Sequence, residues 1–140
     1  MAYLFIIFLL CRLDCAYIFK YQVSAIEEYC TMFPQPTDQI DLVKLQSQCK
    51  AGRFNDTQGK PFSGLLLLFS ELDVMVRNCK EFNAVNRDFQ PWRCADMMET
   101  ELFDLQDELA CIHHIDTLQE VVEKSWNRRI QEESRYEEDI

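Results

Sequence analysis

The sequence predicts an all-α fold: a small, disulfide-stabilised bundle of about four helices with a long C-terminal helix. Three observations predict it. Apolar residues recur at spacings of three and four through separate segments, the period of a single helix face. The three glycines and four prolines fall in the gaps between those segments. No alternating apolar and polar run and no Asn-Gly or Asp-Gly hairpin signal occurs. Short connectors then imply helix packed on helix.

The chain opens with MAYLFIIFLLCRLDCAY, apolar from Ala2 to Cys11 and ended by Arg12. As a helix this run rises only about 15 Å, half the hydrocarbon thickness of a bilayer, so it does not span a membrane. Its length and position predict a secretory signal peptide over residues 1–16, cleaved after Ala16 or after Cys15. No Lys or Arg precedes the run, and Asp14 stands where a small residue is preferred before the cut. The alternative is a buried N-terminal segment of a cytosolic protein.

A single helical domain is expected over 17–130. Its first helix runs from about Tyr17 to Met32, with Phe19, Val23, Ile26, Cys30 and Phe33 as its apolar stripe. Pro34 and Pro36 break it, because proline lacks the amide hydrogen and restricts the residue before it. Thr37 or Asp38 then caps a second helix through a side-chain oxygen, with Leu42, Leu45 and Cys49 on one face and Gly52 as the stop. The third helix follows the polar stretch AGRFNDTQGKPFSG. Leu65, Leu68, Phe69, Leu72, Val76 and Cys79 share a face that Leu66, Leu67 and Met75 widen, which predicts the most buried helix of the domain. The fourth begins near Asp88, a candidate cap, with Pro91 in its first turn. Met98, Leu102, Leu105, Leu109 and Ile112 continue it, and Val122, Trp126 and Ile130 extend the stripe. Residues 131–140 read as a charged, frayed tail.

Export makes the cysteines legible. Of seven, Cys11 and Cys15 belong to the signal or its edge, leaving Cys30, Cys49, Cys79, Cys94 and Cys111. Well-spaced cysteines in a short exported chain favour disulfides, and no C-x2-C pair of the metal-binding kind is present. Cys94 and Cys111 are about 25 Å apart along one continuous helix, too far to bridge. Cys79 and Cys94 flank the connector at similar distances, so an antiparallel pair of helices brings them level and predicts Cys79–Cys94. An up-down-up-down order then predicts Cys49–Cys111. Cys30 is left over: free, joined to Cys15 if processing spares that residue, or linking two chains in a covalent dimer. The loop around Asn55 is long enough for a crossover that would change these pairings. That loop also carries the sequon Asn55-Asp56-Thr57, expected to be glycosylated.

No reaction chemistry stands out. ELACIHHIDTLQ gathers Cys111, His113 and His114, but adjacent histidines diverge by about 100° on a helix. These are the only two histidines, with no H-x3-H and no H-E-x-x-H. A nucleophile elbow and a phosphate-binding glycine loop are both missing. The expectation is therefore no enzyme, no metal and no cofactor. A formal net charge of −10 disfavours nucleic acid, and an acidic surface favours a basic partner. The leading reading is a secreted, non-enzymatic binding protein or signal-like factor that meets an extracellular protein or receptor through its surface. The alternative is an extracellular carrier of a hydrophobic small molecule or lipid between the helices. Phe69, Met75, Phe82, Trp92, Met97, Met98 and Phe103 are its candidate contacts, though a bundle needs about that much apolar surface for its core.

Overall fold

Two helices of 20 residues each, α4 (Ser63–Phe82) and α5 (Gln90–Leu109), form the frame. In the computed structural model, which describes residues 3–85, 87–110 and 120, 124, 127 and 131, they run antiparallel. Lys80 near the end of α4 reaches Asp96 and Glu99 of α5, at 2.8 and 3.1 Å, while Leu65 and Phe69 line a cleft together with Gln106 and Leu109 at the other end. The stripes read from the sequence are the packed ones. Leu65, Leu68, Phe69, Leu72, Met75 and Val76 of α4 are buried, as are Met98, Leu102, Leu105 and Leu109 of α5. Pro91 sits in the first turn of α5, where its missing N–H costs no helix bond. Leu66 and Leu67 do not widen the buried face: they are 69% and 40% exposed, because α4 meets its neighbours along one stripe only.

The remaining helices are short, with no strand among the described residues. They are α1 (Leu4–Leu10), α2 (Glu27–Met32) and α3 (Leu42–Lys50), joined by 3-10 turns at Asp14–Lys20, Val23–Ala25 and Pro36–Asp38. Helix α3 buries Leu42, Leu45 and Cys49 and stops at Gly52, whose φ of 89° is open to glycine at no steric cost. Its cap is Asp41 rather than Thr37 or Asp38: the Asp41 carboxylate accepts the Lys44 N–H at 2.8 Å.

The expected helix from Tyr17 to Met32 is three pieces. Tyr21, Gln22 and Ile26 are extended, and the Val23 N–H donates to Asp41 at 3.1 Å instead of to a helical carbonyl. A long-range acceptor thus competes with the local helix bond, and a run containing β-branched Val23 and Ile26 yields to it.

Residues 3–16, expected as the signal, lie at the centre of the core. Ile6, Ile7, Leu10 and Ala16 are fully buried, and Leu9, Leu13 and Cys15 nearly so. Helix α1 packs on α3, and the Asp14–Lys20 turn bridges α3 and α5. Tyr3 holds a left-handed φ of 67° and donates its hydroxyl to the Asp56 carboxylate at 2.9 Å, while Asp56 also accepts the Gly64 N–H at 3.0 Å. One loop carboxylate therefore joins the chain start to the first turn of α4. Past Ala110 the expected continuation of α5, with Cys111, Ile112, His113, His114, Val122, Trp126 and Ile130, falls outside the described residues, as does the tail from 132 on. Arg12 donates to Asn127 at 2.6 Å.

Candidate functional site

An apolar cavity of about 380 Å³ opens at the end of the bundle where α4 stops and α5 starts. Its walls come from the broken segment. Phe19, Val23 and Ile26, spaced for a helix face, line it on a segment that is extended at Tyr21 and Ile26. Met75 and Phe82 of α4 form the opposite wall, and Ile40 and Asp41 close the side toward α3. Tyr29 of α2 packs between Phe33 and Phe82, with ring centroids 4.8 and 5.2 Å away. The exposed rings of Tyr17, Tyr21 and Phe89 surround the mouth. Such a space, apolar with a few placed polar groups, has the character of a small-molecule site.

The polar groups of the wall are held in place. Asp41, 3% exposed, joins two walls by accepting Lys44 N–H on one oxygen and Val23 N–H on the other. The Tyr29 hydroxyl donates to the Asp38 carbonyl at 3.3 Å, and Asn78 donates to the same oxygen at 2.9 Å. Burial pushes the Tyr29 phenol up to about 12, against a hydrogen bond with Asn78 that favours the ionised form. Burial likewise pushes the Cys79 thiol up to about 11; a hydrogen bond from Asn83 opposes the shift and nearby Cys94 adds to it. A thiol so raised is protonated near neutral pH and is a poor nucleophile. The wall is thus equipped to hold an apolar body and bears no activated group.

The structure brings Cys79 and Cys94 together at the α4–α5 end, where the antiparallel geometry places them, without an Sγ–Sγ bond. No disulfide joins Cys11, Cys15, Cys30, Cys49, Cys79 or Cys94. Cys49 is fully buried under α1, the Cys30 thiol donates to the Val23 and Ser24 carbonyls at 3.6 and 3.4 Å, and Cys111 lies outside the described residues. Asn55 and Thr57 of the sequon are exposed.

Of the carrier contacts expected from composition, Met75 and Phe82 line the cavity. Met98 is plain core, Phe69 faces the other end of the hairpin, and Met97 and Phe103 are exposed. Trp92 lies beneath two cations, Lys80 at 5.0 Å and Arg87 at 5.6 Å. The sequence carries no cavity signal for Phe19, Val23, Ile26 and Asp41: the first three have the spacing of a helix face, and Asp41 stands outside every motif. Among the described residues no helix is long and apolar enough to cross a membrane. The chain matches no protein family, no curated protein and no solved structure.

Proposed function

We propose that this chain is a non-enzymatic binding protein that holds a hydrophobic small molecule in the cavity between α2, α4 and the segment from Tyr17 to Ile26. The observation that carries it is the cavity itself: apolar walls, aromatic rim and about 380 Å³ of space in so small a domain. The half-open cavity leaves apolar wall in contact with water, which an apolar ligand would cover. Full-length protein purified without detergent should release an apolar molecule on organic extraction, seen by mass spectrometry. It should also bind a neutral fluorescent probe at one site per chain, and Ile26→Trp should abolish that binding by filling the space. An empty extract together with no saturable probe binding refutes the reading.

A second reading is a secreted factor acting through its surface on an extracellular protein or receptor. Leu66 and Phe103, 69% and 71% exposed on α4 and α5, favour it, since large apolar side chains on neighbouring helices are what a protein partner would cover. Export and glycosylation at Asn55 are supported by the apolar run before Arg12 and by the exposed sequon. Every residue lining the cavity lies at or beyond Tyr17, but cleavage after Ala16 would remove core side chains packed behind that lining, so export with a cleaved leader competes with the cavity reading. The intact mass of protein recovered from medium reads both the N-terminus and the glycan.

A further inference from the structure

We propose that the ligand of this cavity is a hydrophobic molecule carrying a protonated amine, with the ammonium held by the carboxylate of Asp41; this rests on the cavity being a ligand site. Among the described residues lining it, Asp41 is the one with a formal charge, and none is Lys, Arg or His. Asp41 is 3% exposed, and among the described residues no ion pair reaches it. Lys44, the nearest cation in sequence, commits its ammonium to the carbonyls of Pro36 and Gln39, at 2.7 and 3.1 Å.

Each Asp41 oxygen accepts one backbone N–H, from Val23 and from Lys44. A carboxylate offers about four acceptor positions, so about two stay open to a ligand. A buried carboxylate with no ion pair is a situation in which a charged donor gains, because it supplies a countercharge and fills acceptor positions that remain open.

The same wall rejects a fatty acid. Its carboxylate would lie near a second negative charge, and two further polar groups of the wall are committed elsewhere. The Asn83 amide donates to the Cys79 carbonyl at 2.8 Å and approaches its thiol at 3.6 Å, and the Tyr29 hydroxyl donates to Asp38. A long-chain alcohol brings a donor but no charge, and falls between the two.

The test is displacement of a neutral probe, N-phenyl-1-naphthylamine, from full-length protein at pH 7 by decylamine, decanol and decanoate, all below their micelle concentrations. Decylamine is expected to compete at about tenfold lower concentration than decanoate, with decanol between them. Asp41→Asn keeps a helix cap but can accept only one of the two backbone N–H groups, so its probe affinity is measured first, and relative to that value the amine-to-acid ratio should fall to within about twofold. The wild-type ratio decides the matter even if that variant folds poorly. Decanoate competing as well as decylamine, or a ratio that survives in a folded Asp41→Asn, overturns the amine assignment and leaves the cavity reading standing. Failure of all three competitors and of the probe to bind overturns both.

Discussion

Deleting residues 1–16 is expected to abolish the fold, and the size of the effect follows from what those residues bury. Ile6, Ile7, Leu9, Leu10 and Leu13 are each at most 6% exposed, and Tyr3 adds a ring and its hydrogen bond to Asp56. Full burial of an aliphatic side chain contributes about 1.5–3 kcal/mol, so the five together contribute about 10 kcal/mol. That figure is an upper bound, because the unfolded chain already hides part of this surface. It still equals the whole stability of an ordinary domain, about 5–15 kcal/mol. Chain 1–140 and chain 17–140 can be compared by thermal melts and urea titration followed by circular dichroism. The full chain should melt cooperatively, and the shortened one should show no cooperative transition and expose apolar surface to dye. Leu10→Ala, a milder form of the same perturbation, should cost about 2–5 kcal/mol. If chain 17–140 melts cooperatively within about 3 °C of the full chain, the packing of residues 3–16 is not what holds the domain. The signal-peptide reading then gains the ground that the core reading loses.

Gly64→Ala should destabilise the fold by at least about 1–3 kcal/mol, read as a lower urea midpoint, because the added methyl overlaps the Phe54 carbonyl, a backbone atom that cannot swing aside. Cys79 should resist iodoacetamide at pH 8 in the folded protein, and react at once in urea. Its raised pKa also gives a sign: between about 9, the unfolded value, and about 11 the unfolded chain loses this proton first, so the contribution of Cys79 to stability falls as pH rises through that window. A flat urea midpoint from pH 8 to 11, after correction for the other groups, would contradict the burial of that thiol. In an oxidising secretory host, non-reducing peptide mapping should return Cys79–Cys94, the pair that the α4–α5 hairpin brings together, and Cys49–Cys111. A Cys94–Cys111 link, or Cys30 joined to Cys79 or Cys94, would overturn that pairing.

Much of the frame was legible without coordinates. The stripes Leu65–Leu68–Phe69–Leu72–Val76 and Met98–Leu102–Leu105–Leu109 are buried where the period put them, and Gly52 and Pro91 sit at the helix ends they signalled. A helix bonds within itself and shows its neighbours one face, so spacing along the chain carries both pieces of information. The proximity of Cys79 and Cys94 was legible for a related reason: a short connector forces two successive helices antiparallel.

The cavity was not legible, and neither was the place of the N-terminal run. Phe19, Val23 and Ile26 have helical spacing, yet their backbone is bent by an acceptor 18 residues away, the Asp41 carboxylate, whose reach no local pattern encodes. An apolar run such as Ala2–Cys11 suits a signal peptide and a core helix equally, because both need only the absence of polar side chains. By itself the sequence determined the helical class, the faces of α3, α4 and α5, and the ends that proline and glycine mark, all set by contacts within a few residues. Only the tertiary structure decided that residues 3–16 fill the core, that the segment from Tyr17 to Met32 breaks to wall a cavity, and that Asp41 stands in that wall. Those outcomes depend on which distant groups compete for the same backbone donor and the same buried volume.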